Sequence, residues 1–110
     1  MGLHMSIKVE ISEYADSDLT NIENYIEFQF GSPQAAKKAL ALILDAIQTL
    51  GEFPEAGVAI ALPDGVVTPY RVLICDKRYA ISYIFDKKAH KVWVYRVFNT
   101  IQDWLALLLR

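Results

Sequence analysis

The sequence predicts an α+β domain in which a short strand, a two-helix hairpin, a three-stranded antiparallel meander and a short terminal helix follow one another. Three observations predict it. Apolar residues recur at spacings of three and four from Ala15 to Leu50, the mark of amphipathic helices. From Arg71 onward the composition switches to β-branched and aromatic residues in runs separated by charged turns. Between the two regions, residues 51–69 hold three prolines and three glycines and read as an irregular connection.

The first element is IKVEIS, Ile7 to Ser12, whose alternation of apolar and polar residues marks a short strand. Ser12 or Asp16 then suits a helix N-cap, and Ala15, Leu19, Ile22, Ile26 and Phe30 trace the inner side of a first helix. Its outer side carries Glu13, Asp16, Glu23, Asn24 and Glu27, a solvated surface. The tripeptide GSP follows: Gly31 closes the helix, Ser32 offers a cap oxygen, and Pro33 takes the first helical position, where no amide bond is lost. Ala36, Leu40, Ile43, Leu44, Ile47 and Leu50 line one side of the second helix, which Gly51 ends. VAIAL forms a short strand within the connection.

The meander consists of Arg71–Cys75, Tyr79–Phe85 and Val92–Phe98, joined by the turns DKR and DKKAHK. Strict alternation in its last strand puts Val92, Val94, Arg96 and Phe98 on one face and Trp93, Tyr95 and Val97 on the other. Both faces are substantially apolar, so helices are expected to cover one while the other is only partly shielded. Thr100 and Asp103 form a capping-box-like pair opening the terminal helix IQDWLALLL, whose apolar residues surround most of its circumference. Some of that surface is expected to meet another chain or to wedge against the sheet.

A chain of 110 residues fits one domain, residues 6–110, with MGLHM at positions 1–5 read as a cloning remnant ahead of a natural start at Met5. Apolar residues make up 54% and charged residues 22%, a balance that folds rather than stays disordered. The longest apolar runs, ALALIL and WLALLL, fall far short of the roughly 20 residues of a membrane span. One cysteine, Cys75, excludes an internal disulfide, so a cytoplasmic location and a buried thiol are expected.

Charge is polarised along the chain. Residues 6–56 hold nine acids and three bases, a balance of −6, whereas residues 69–98 hold seven bases and two acids, a balance of +5. There is no phosphate loop, no paired-histidine metal spacing and no Ser/His/Asp arrangement, so neither cofactor nor metal is expected. His90 sits in a polar turn, where a solvated ring is expected rather than a general base. Lys77, Arg78, Lys87, Lys88 and Lys91 keep strand ends soluble or grip an anionic partner. Arg71 and Arg96 stand within strands among apolar neighbours, where an unpaired guanidinium is costly; each must face a solvated groove or pair with an acid such as Asp103.

In this order and spacing, the stretch from Val9 through ISEYADSDLTNIENYI, then GSPQAAKKAL, the L-x-x-FP-x-x-G segment from Leu50 to Gly57, YRVL at Tyr70, RYAISYIFD and VWVYRVFNTIQDW resemble the RelE/ParE superfamily of toxins from type II toxin–antitoxin modules. The resemblance covers nearly the whole chain from about Ile7. It implies a helical hairpin packed on a twisted antiparallel sheet that the N-terminal strand joins, and a cognate antitoxin whose C-terminal segment wraps the toxin. It implies one of two activities: cleavage of messenger RNA at the ribosome in the RelE-like branch, or non-hydrolytic poisoning of DNA gyrase in the ParE-like branch.

The site residues bear on that choice. RelE-like ribonucleases carry an arginine directly after the tyrosine of the second meander strand, and here that position is Ala80 in Tyr79-Ala80-Ile81-Ser82-Tyr83. They also place an arginine, histidine or tyrosine after the last strand, where this chain reads Phe98-Asn99-Thr100-Ile101-Gln102-Asp103-Trp104. Removing one such group costs about two to three orders of magnitude in rate. ParE-like members often carry bases just before the aspartate that matches Asp103, a feature the run Asn99 to Gln102 lacks, but YRV, VYRV and the Asp-Trp pair fit that branch better. The resemblance therefore implies a plasmid-stabilisation type toxin that binds gyrase, with Arg71, Lys77, Arg78, Arg96, Asp103 and Trp104 contacting target or antitoxin. A RelE-like nuclease with an atypical site built from Arg71, Lys77, Arg78 and Arg96, and a non-toxic antitoxin-binding homologue, are the alternatives. A homodimer or a toxin–antitoxin hetero-oligomer is the expected assembly.

Overall fold

In the computed structural model, residues 7–99 are described. They form β1 (Lys8–Ile11), α1 (Glu13–Phe30), α2 (Pro33–Thr49), β2 (Val58–Ala61), β3 (Val67–Cys75), β4 (Tyr79–Asp86) and β5 (Lys91–Asn99). Residues 1–5 and the expected terminal helix, with Asp103 and Trp104, lie outside the described residues.

The helix boundaries follow the local chemistry. Ser12, not Asp16, caps α1: its Oγ accepts from the Ala15 N–H at 3.0 Å, while Asp16 joins Glu13 in the first turn. Gly31 ends α1 in the left-handed region at φ 59°, where its N–H reaches the Glu27 carbonyl at 2.8 Å. Ser32 then caps α2 through the Ala35 N–H at 3.2 Å, with Pro33 at the first position. Two residues spaced as inward-facing, Phe30 and Leu44, are instead exposed.

The five strands lie in the order β1-β5-β4-β3-β2. β2 to β5 pair antiparallel in succession, and β1 joins parallel to β5, with Lys8 opposite Lys91 and Ile11 opposite Val94. VAIAL supplies edge strand β2. β3 starts at Val67, earlier than its composition suggests, because Pro69 falls within a bulge of β3, where Thr68, Pro69 and Tyr70 together oppose Ile60 and a missing N–H breaks no ladder bond. There the Thr68 hydroxyl donates to the Ile60 carbonyl at 2.9 Å.

A second bulge decides which side chains face the helices. Ser82 pairs with Arg96 but Tyr83 pairs with Val94, leaving Tyr95 as an extra residue in β5. The alternation resets there: Val92, Val94 and Val97 face the helices, and Arg96 and Phe98 share the opposite face with Trp93. This corrects the strict alternation, which groups Arg96 and Phe98 with Val92 and Val94. The main core packs Ala15, Leu19, Ile43, Ile47 and Leu50 of the helical layer onto Ile81, Tyr83, Val92, Val94 and Val97. A smaller cluster of Ile60, Val72, Ala80 and Phe98, with Tyr70 against it, sits on the other face.

β1 covers only the first half of β5, and α1 closes the remaining edge. The Ser12 N–H donates to the Val94 carbonyl at 2.9 Å and its hydroxyl to the Tyr95 carbonyl at 2.6 Å. The Asp18 carboxylate then accepts the Val97 N–H at 2.9 Å and both Nε and Nη2 of Arg96 at 2.8 and 3.0 Å. Arg96 thus finds an acid on α1, while Asp103 lies outside the described residues. The pair is mostly shielded from solvent, and Asp18 pushes the Arg96 pKa further up. Because one carboxylate serves three donors, Asp18→Ala is expected to cost about 2–3 kcal/mol of unfolding free energy. Asp18→Asn, which can still accept one bond, should cost less; a urea titration in which Asp18→Ala unfolds like the parent protein would contradict this.

Candidate functional site

The two strand arginines do different work on different faces. Register pairs Arg71 with Tyr83, on the helix-covered side, and Arg96 with Ser82, on the other. Arg71 holds the connection after α2: its Nη1 donates to the carbonyls of Gly57 at 2.8 Å and Glu55 at 3.3 Å. Beside it, the Tyr83 hydroxyl donates to the Pro54 carbonyl and accepts from the Gly57 N–H, both at 2.8 Å. The L-x-x-FP-x-x-G segment is therefore a clasp, pinned at Leu50 by burial and at Pro54 and Gly57 by Tyr83 and Arg71. Only glycine fits its last position, since a Cβ on Gly57 would lie 2.7 Å from the Tyr83 ring and 2.9 Å from the Val72 carbonyl.

The opposite face, which none of the described helices packs against, consists of three cross-strand rows. Ile74, Ala80 and Phe98 form one, Val72, Ser82 and Arg96 the next, and Tyr70, Ile84 and Trp93 the third. Tyr70, Trp93 and Tyr95 are partly accessible there, as is the half-exposed Ile74. Tyr70 and Tyr14 lean on Tyr95 from two sides at centroid distances of 5.7 and 6.1 Å, Arg96 lies 4.9 Å from the Phe98 ring, and Lys91 lies 4.8 Å from Trp93. At its centre, the fully buried Ser82 hydroxyl has no hydrogen-bond partner.

The remaining cations are spread out. Lys77 and Arg78 occupy the β3–β4 turn, where Asp76 and Lys77 both adopt positive φ, and Lys87 and Lys88 follow β4 at its far end. An eight-residue strand holds the two turns roughly 25 Å apart. Several cations have acids within reach: Lys87 contacts Glu55 at 3.3 Å, Lys91 and Lys8 share Glu10 at 2.8 and 3.3 Å, and Arg78 lies 4.0 Å from Asp76. The lysines lower the Glu10 pKa, Lys91 most. Arg71, Arg78 and Arg96 do not converge: one clasps a loop, one sits in a terminal turn and one braces α1. Ala80, where a ribonuclease of this kind would carry arginine, is fully buried between Ile74 and Phe98. His90 is exposed in its turn.

The aromatic sheet face is closed behind by a helical hairpin and bordered by paired charges. The fold is that of a small α+β domain, a helical hairpin on one face of a five-stranded sheet. The family model described as "ParE toxin of type II toxin-antitoxin system, parDE" matches residues 9–104, and the chain belongs to that family. Among solved structures, it is similar to the chromosomal ParDE toxin–antitoxin system from P. aeruginosa, with a TM-score of 0.69, 18% identity, and coverage of 86% of this chain and 96% of that one. It is also similar to the toxin–antitoxin complex RelBE2 from Mycobacterium tuberculosis, with a TM-score of 0.63, 16% identity, and coverage of 86% and 99%. No curated protein sequence matches.

Sequence reasoning singled out Arg71 and Arg96 but missed Asp18, Tyr83 and the aromatic trio of Tyr14, Tyr70 and Tyr95, all joined across large separations. The orphan hydroxyl gives a direct check: Ser82→Ala removes an unsatisfied buried group and should leave stability unchanged or raise it by about 1 kcal/mol, read by thermal or urea unfolding. The clasp gives another. Burial raises the Tyr83 pKa above its ordinary 10.0. The folded state therefore favours the protonated phenol; its contribution is complete below that ordinary value and is lost as pH climbs through the raised one. Alkaline unfolding should thus shift in Tyr83→Phe, and an unchanged high-pH limb would count against the clasp.

Proposed function

We propose that this chain is the toxin of a type II toxin–antitoxin pair, that it inhibits DNA gyrase by binding, and that a cognate antitoxin silences it by lying over the aromatic sheet face. The observation that carries this reading is the separation of Arg71, Arg78 and Arg96. Phosphodiester cleavage by general acid–base chemistry needs cationic and proton-transferring groups within hydrogen-bond reach of one phosphate. These arginines meet at no common point, and Arg71 and Arg96 spend their hydrogen bonds on the fold itself. The partly accessible rings of Tyr70, Trp93 and Tyr95 support protein recognition, because aromatic anchors carry a large share of interface energy. In this reading the protein works in the cytoplasm, beside its target.

The test is a pair of assays on the purified free chain. Gyrase supercoiling should be inhibited while ribosome-bound transcripts stay intact, and adding the product of the neighbouring open reading frame should restore supercoiling. Tyr70→Ala with Tyr95→Ala should weaken capture of that product by about tenfold or more. Transcript cleavage at an enzymatic rate, abolished by Arg71→Ala, would overturn the binding mechanism in favour of a nuclease. Growth untouched by expression alone would instead mark a non-toxic homologue.

A further inference from the structure

The sheet face turned away from α1 and α2 is not evenly open. Ile60, Val72, Ala80, Ser82 and Phe98 are each no more than 7% exposed, although none of the described helices packs over them. Register sets Phe98 beside Ala80, Ser82 beside Val72, and Val72 beside Val58, two residues before Ile60. The buried side chains therefore form a diagonal band from the end of β5 to the middle of β2. On both sides of the band the exposure of an open sheet face returns: Val58 is 75% and Ile74 50% exposed, and Tyr70, Ile84 and Trp93 stay partly accessible. A phenyl ring on such a face falls to the 2% of Phe98 only beneath a layer of other atoms.

The band is buried within one chain, so its cover belongs to that chain. α1 and α2 occupy the other face. Residues 1–6 join the sheet at its opposite end, where Lys8 pairs with Lys91, about 23 Å along β5 from Phe98. Six extended residues reach at most about 20 Å. Residues 100–110, TIQDWLALLLR, which lie outside the described residues, begin directly after Asn99 and so beside Phe98. Within them, Ile101, Trp104, Leu105 and Leu108 fall at the spacings of three and four that one side of a helix requires.

Length fits as well. From Phe98 to Ile60 the band runs about 20 Å, three strand spacings across and four residues along. Ten residues of helix measure about 15 Å, which the side chains at its two ends extend. The flank of α1 beyond Asp18, beside the end of β5, is not the seat, because Tyr25 and Phe28 stand 57% and 86% exposed there. We propose that residues 101–110 fold back as an amphipathic helix along this diagonal, an intramolecular strap that seals Phe98, Ala80, Val72 and Ile60 and leaves Tyr70, Ile84, Trp93 and Tyr95 as the strip open to a partner. The inference stands on the burial of the band and does not depend on which partner or target that strip serves.

The test keeps the full chain. In the unaltered protein, methyl NMR cross-peaks should connect Leu105 and Leu108 with Val72 and Ile60. A nitroxide tag on Arg110→Cys, with the buried native thiol removed by Cys75→Ala, should broaden the amide signals of Val58 to Ala61 and spare Gly31 and Ser32 between the helices. Tagged chain mixed with untagged, isotope-labelled chain should leave the labelled signals sharp. Leu105→Ser with Leu108→Ser in the tagged chain should reduce the β2 broadening severalfold, and Leu107→Ser, which lies off the inner side, should not. Absent cross-peaks, broadening centred on Tyr25 and Phe28, broadening of β2 in the mixed sample, which would make the cover a second copy, or equal losses in the Leu107 variant would each overturn the proposal.

Discussion

The Asp18 carboxylate is the joint on which the architecture turns. It accepts a backbone N–H from β5 and a forked pair from Arg96, fixing the helical layer at one height over the sheet. Without it, the half of β5 that β1 leaves uncovered would present an unpaired amide and an uncompensated guanidinium to a partly shielded interface. Ser12 completes the seam two turns earlier by serving both as the cap of α1 and as a partner for β5 carbonyls. The first helix thus does the work of an edge strand along the half of β5 that β1 leaves uncovered.

The bulge at Tyr95 follows from the same seam. An extra residue in β5 turns Arg96 away from the core while keeping Val94 and Val97 in it, so a charge can sit mid-strand without being buried among valines. It also brings the Tyr95 ring between Tyr14 of α1 and Tyr70 of β3. Local irregularity therefore creates both the ion pair that stabilises the fold and the cluster of Tyr14, Tyr70 and Tyr95. The Leu50 to Gly57 clasp plays the matching part on the other side, where Tyr83 and Arg71 hold a connection that has no secondary structure of its own.

Much of this order was legible in the chain. Gly31, Ser32 and Pro33 punctuate the hairpin by backbone chemistry that needs no tertiary context, and the charged turns separate the meander strands in the same way. The rest depended on distance. Nothing local says that Asp18 meets a residue 78 positions away or that Tyr83 reaches Pro54. Period-two counting fails at Tyr95 because a bulge has no composition of its own here, and Pro69 hid the start of β3. Phe30 and Leu44 kept helical spacing yet face solvent, since periodicity marks a side of a helix and not how far the neighbouring layer extends along it. The cations of the last strands looked like one patch in sequence, but an extended strand carries its two ends apart.

The parallel pairing of β1 with β5 carries a consequence for synthesis. The first strand to leave the ribosome finds its neighbour only when the last described strand has been made, so the sheet cannot be completed while the chain is still growing through residue 91. Contacts closed over so long a loop form late. Until then the Asp18 joint is also unmade, because its partners lie in the same final strand. The nascent chain thus passes most of its translation without a completed sheet.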